Sequence, residues 1–139
     1  METNYSLRRP TERRTSVFGS YPVTAFLATR APDLAKRFYR DVLGLRFVSE
    51  DPFTLVFDAH GTRLTISIVQ DLVAAKYTVL GWHVPDILAV VQQLEKAGIK
   101  LERFPNMAQD ERGVWTAPGG AKVAWFRDPD ENLLSISQF

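Results

Sequence analysis

An apolar, β-prone run, a turn, an amphipathic stripe, a glycine and an apolar restart follow one another over residues 21–45. The same order returns about 55 residues later, over residues 78–101. One such unit cannot bury the sheet it begins. Two can, because each helix covers one face of its own sheet and leaves the remaining faces to meet each other or a ligand.

In the first unit, Pro22-Val23-Thr24-Ala25-Phe26-Leu27-Ala28 reads as a strand and Arg30-Ala31-Pro32-Asp33 as the turn into a helix. Leu34, Phe38 and Val42 recur at helical spacing with Ala35 in the same stripe, which predicts an amphipathic helix of about three turns capped at Gly44. Residues 46–49 and 53–57 follow as short strands separated by Glu50-Asp51-Pro52, where proline cannot continue a ladder. His60-Gly61 is a hairpin turn, and residues 63–68 alternate polar with aliphatic as a strand with one buried face does. In the second unit, residues 78–84 are the strand and Pro85-Asp86 the turn. Ile87, Val90, Val91 and Leu94 form the helical stripe, and Gly98 ends it. Residues 113–117 and 121–126 form a hairpin around Pro118-Gly119-Gly120, and the turn-rich Asp128-Pro129-Asp130-Glu131-Asn132 precedes a last strand at 133–137. Between Glu102 and Arg112 no period is visible, so the stretch is either an irregular loop or a lid.

The expected architecture is α+β: two tandem βαβββ modules, about residues 21–69 and 77–139, forming a curved mixed sheet or half-barrel around a cleft. Residues 1–20 read as a mobile basic tail, with Arg8, Arg9, Arg13 and Arg14 against Glu2 and Glu12, and the rest of the chain is close to neutral. Nucleic-acid binding is not expected, because it needs a concentrated basic face to neutralise phosphates and only the short tail offers one. The chain has no cysteine, which excludes disulfides, a thiolate nucleophile and thiolate zinc sites. With no continuous apolar stretch near its start, it is expected in the cytoplasm and away from membranes.

Phe38-Tyr39-Arg40-Asp41-Val42-Leu43-Gly44-Leu45 is similar to the helix-one signature of the glyoxalase, bleomycin-resistance and extradiol-dioxygenase superfamily. Arg127-Asp128-Pro129-Asp130-Glu131-Asn132 resembles that superfamily's closing turn, with Glu131 where glycine usually stands. The resemblance covers roughly residues 21–139 and implies the paired-module fold. In metal-dependent members it implies four ligand positions, which fall here on Thr24, Thr65 or Ser67, Val79 and Ser135. Neutral hydroxyls and a valine supply neither charge nor a strong lone pair, so a divalent metal is disfavoured and no cofactor is expected.

Residues two positions apart on a strand share a face. The pocket candidates are therefore Thr24 and Phe26 on the first strand, Arg63, Thr65 and Ser67 on the fourth, Val79, Gly81 and His83 on the fifth, and Ser135 and Ser137 on the last. His83 is the candidate general base, against the plainer role of a hydrogen-bonded strand histidine. Arg63 suits a carboxylate or phosphate clamp, or simply a strand-end charge in solvent. A three-residue Pro118-Gly119-Gly120 loop aligns Trp115 and Trp125 on one face as an aromatic wall for a flat ligand, whereas a two-residue loop would oppose them; core packing or a dimer contact explains them too. His60 reads as surface punctuation, and Asp128 and Asp130 as turn residues bonded to nearby backbone. The primary expectation is a metal-free protein that binds a small, partly aromatic or apolar molecule between its modules, as a homodimer. One alternative is a lyase, isomerase or dioxygenase of the same superfamily, with atypical ligands or with His83 as base. Another is a non-catalytic interaction module.

Overall fold

The computed structural model describes residues 16–139. Most of the basic segment expected to be a mobile tail lies outside the described residues; its last five form an exposed turn in which Gly19 N donates to Ser16 Oγ.

The first module runs β1 (Thr24–Thr29), α1 (Pro32–Lys36), β2 (Arg46–Glu50), β3 (Thr54–Ala59) and β4 (Thr62–Ile68). The second runs β5 (Leu80–His83), α2 (Ile87–Lys96), β6 (Trp115–Thr116), β7 (Lys122–Arg127) and β8 (Leu133–Gln138). Each builds its own four-stranded mixed sheet, in the orders β1-β4-β3-β2 and β5-β8-β7-β6. In both, the opening strand pairs parallel with the closing one. That crossover is why a helix must intervene. The tandem βαβββ expectation therefore holds, as two sheets rather than one continuous ladder.

Both glycines read as helix stops have positive φ, +76° at Gly44 and +81° at Gly98, where a side chain would be strained. Asp86 caps α2, its Oδ1 accepting from Ala89 N, and Ile87, Val91 and Leu94 are buried as the stripe requires.

The first helix departs from expectation. Leu34 and Val42 are exposed, and the buried residues are Ala35 and Tyr39. After Lys36 the backbone widens into a π-helical stretch, Arg37–Val42, in which Leu43 N donates to Phe38 O. Ala35 and Tyr39 are four residues apart, so the buried face lies one position round the helix from Leu34 and Val42. Tyr39 packs on Phe57 and sends its hydroxyl into the second module.

One apolar core joins both modules. Leu27, Leu55, Phe57, Leu64 and Ile66 meet Tyr39 and Ala35, and Ala124, Phe126, Leu134 and Ile136 meet α2. Among the described residues, the opposite face of each sheet carries no helix. No helix among the described residues is long and apolar enough to cross a membrane.

Candidate functional site

On the helix-free face of the second sheet, Gly81 lies opposite Ser135 and Ser135 opposite Trp125. The next row is His83, Ser137, Val123 and Trp115. The β6–β7 hairpin closes through the three-residue loop: Ala117 N donates to Ala121 O and Gly120 N to Ala117 O. That register puts both indoles on one face, their ring centroids 6.3 Å apart and tilted by 39°. Trp125 reaches across β8, and its Nε1 donates to Thr78 Oγ1 at 3.1 Å. The indole therefore spans the strand that carries Ser135. A Cβ at Gly81 would sit 2.7 Å from Ser135 Oγ, so no larger residue fits there without moving the serine.

A third ring comes from the stretch without a period. Phe104 meets Trp125 edge to face, with centroids 5.4 Å apart at 88°. Residues 102–114 form a compact loop fastened by its own side chains. Gln109 accepts from Phe104 N and donates to the carbonyls of Glu102 and Gly113, at 2.7–3.0 Å. Arg103 donates to the Gln109 and Asp110 carbonyls, and Asp110 Oδ1 accepts from Arg112 N and Val114 N. Glu102 N also donates to Trp125 O, which ties the loop to β7. Neither Phe104 nor Gln109 stood out in the sequence, because their placement follows from hydrogen bonds within an irregular segment rather than from any spacing.

The first sheet's helix-free face is different. Thr24, Arg63 and Asp58 form one cross-strand row, followed by Phe26, Thr65 and Val56, then Ala28, Ser67 and Thr54. Phe26 is 65% exposed. Arg63 Nε points along its strand toward Thr65 Oγ1, at 3.4 Å. Asp58, directly opposite Arg63, instead reaches Arg46 at 3.7 Å. The structure thus divides the candidate residues between two faces: Thr24, Phe26, Arg63, Thr65 and Ser67 on one, and His83, Trp115, Trp125 and Ser135 on the other.

The metal positions that the resemblance implies hold hydroxyls and a valine, at Thr24, Thr65 or Ser67, Val79 and Ser135. Thr24 lies opposite Arg63, whose charge repels a cation, and Ser135 lies beneath the span of Trp125. Among the described residues no three His, Cys, Asp or Glu side chains gather where they could share one. His83 is exposed and stacks on Phe139, with centroids 4.9 Å apart at 13°, and has no side-chain hydrogen bond among the described residues. His60 sits exposed in its turn at φ +49°.

Asp128 and Asp130 do more than bond nearby backbone. Asp128 accepts from the backbone of Asp130 and Asn132, from Asn132 Nδ2 and, at 2.6 Å, from Tyr39 Oη in the first module. Asp130 accepts from Thr29 Oγ1 and Arg30 N, and Asn132 donates to Ala28 O. Burial, then the charge of Asp128, pushes the Tyr39 phenol far above its ordinary value of 10.0. The closing turn is therefore a buried polar weld between modules. A cleft of about 260 Å³ lies beneath the second sheet, where Val42 and Leu43 face Trp82, Val90, Leu94 and Phe126, and His83 also lines it.

The sequence profile of the Glyoxalase/Bleomycin resistance protein/Dioxygenase superfamily matches residues 22–136. Among solved structures, the fold is similar to a glyoxalase/bleomycin resistance protein/dioxygenase from Alicyclobacillus acidocaldarius (18% identity, 86% of this chain and 92% of that one, TM-score 0.65). It is also similar to a lactoylglutathione lyase from Agrobacterium tumefaciens (19%, 86% and 93%, 0.66) and to a genomically encoded fosfomycin resistance protein from Listeria monocytogenes (12%, 86% and 93%, 0.66). Curated proteins give no match by sequence.

Proposed function

The chain belongs to the glyoxalase, bleomycin resistance protein and dioxygenase superfamily, and from that premise we propose that it binds a small, flat, partly aromatic or apolar molecule at its helix-free sheet faces without a family-type metal ion. The observation that carries this reading is the aromatic group of Trp115, Trp125 and Phe104, the last set by a hydrogen-bonded loop, on the sheet face that also carries Ser135. Rings fixed in advance lose little freedom when a flat ligand stacks on them. The neutral serines beside them favour uncharged contact over ion chemistry.

A homodimer belongs to the same proposal. Phe26, Phe53 and Val79 are exposed, and a second copy would cover apolar surface that one chain leaves in water. The absence of cysteine supports a reducing compartment such as the cytoplasm.

Tryptophan fluorescence tests the reading. Naphthamide added to the protein is expected to quench emission saturably, and Trp125→Ala to weaken the apparent affinity about tenfold, the upper range for one good stacking contact. Linear quenching with no saturation would overturn the binding role.

A further inference from the structure

We propose that the cleft of about 260 Å³ beneath the second sheet is a further binding site, for a small, flat, uncharged bicyclic molecule of the size of indole. It lies apart from the helix-free faces, so it goes beyond the reading above and does not rest on it.

The cleft sits at the seam of the modules. Val42 and Leu43, at the end of the first helix, supply one wall, Val90 and Leu94 on α2 a second, and Trp82 and Phe126 on the sheet a third. The lining holds no Asp, Glu, Lys or Arg, so a charged ligand would lose its hydration without gaining a counter-charge. The polar side chains that line it are His83 and Gln93, and neither makes a side-chain hydrogen bond among the described residues. They can take up a single ring N–H of the ligand. The Trp82 and Phe126 rings are nearly parallel, at 22° with centroids 6.4 Å apart, which suits a flat ring better than a branched chain. Size sets the upper bound: an apolar cavity of about 150 Å³ accommodates benzene, so this cleft has room for a second fused ring and little more. Val42 is 43% exposed between the core-packed Tyr39 and Leu43, and an occupant would cover it.

Titrating the full chain with indole, followed by NMR of its methyl and tryptophan N–H signals, tests the site. Saturable shifts are expected at the Val42, Leu43, Val90 and Leu94 methyls. They should persist in Trp125→Ala, the variant expected to disable the helix-free face. Ala97→Leu, which fills the cleft from the end of α2, should weaken indole at least about tenfold and leave the response of Trp125 to naphthamide unchanged. Val42→Phe should act the same way from the facing wall. Both positions are exposed, so both variants are expected to fold. Indoleacetate should bind at least about tenfold more weakly than indole. Shifts that appear only at Trp115 and Trp125, that do not saturate, or that survive both filling variants would overturn the cleft assignment. Equal binding of indoleacetate would overturn its preference for uncharged molecules. The aromatic reading of the helix-free face stands or falls separately, on naphthamide quenching.

Discussion

In the first module, residues 43–45 carry the chain from the end of the helix to β2, whereas in the second, residues 97–114 lie between α2 and β6. The strand order is the same in both. The longer connection turns back on the second sheet, bonds to itself and lays Phe104 against Trp125; the first sheet has no such wall, and its Phe26 and Arg63 stand open. A repeated frame thus fixes where side chains point, and the length of one connection decides which face becomes walled. The modules also differ at their helices. Helix α2 is regular and capped, while the first helix widens to bring Tyr39 over the closing turn of the second module.

The largest effect is expected where the modules are joined. Asp128→Ala removes a buried acceptor of four donors and should cost about 3 kcal/mol or more, read by urea denaturation as one cooperative transition. Two separate transitions in the wild-type protein would break the picture of one shared core.

Tyr39→Phe sharpens the same point at about 1–2 kcal/mol near neutral pH. The folded-state pKa of Tyr39 is raised above its unfolded value, so its contribution is intact below about pH 10 and lost as pH rises above it, by about 1.4 kcal/mol per pH unit. A stability profile of Tyr39→Phe should lack that alkaline fall.

Gln109→Ala tests whether the walled face depends on its loop. It leaves Phe104 N and two carbonyls without partners, at a cost of about 1–2 kcal/mol confined to the second module. Hydrogen exchange should quicken over residues 102–114 and stay unchanged in β1 and β4. Uniform quickening would mean that the loop supports the whole molecule. The smallest effect is expected at Glu131, held at φ +69°, where Glu131→Gly should raise stability by about 0.5–1 kcal/mol in thermal denaturation.

Much of this was legible in the sequence because it is local. Gly44, Gly98 and His60-Gly61 announce positive φ, alternation along β4 announces its faces, and the Pro118-Gly119-Gly120 loop aligns the tryptophans. The rest is not local. Tyr39 and Asp128 are 89 positions apart, and no spacing announces their bond. On the first helix the expected stripe holds the buried Ala35 and the core-packed Phe38, but it takes Leu34 and Val42, both exposed, in place of Tyr39, whose burial depends on the distant Phe57 and Asp128. Phe104 and Gln109 lie in a segment shaped by side-chain-to-backbone bonds, which leave no hydrophobic rhythm.

The most direct test titrates naphthamide into the protein after exhaustive chelation and again after addition of a divalent ion, with bound metal measured in the purified sample. Affinity independent of the ion, with far less than one tightly held ion per chain, is the expected result. Binding that appears only when the ion is restored would contradict an account built on stacked rings and neutral hydroxyls.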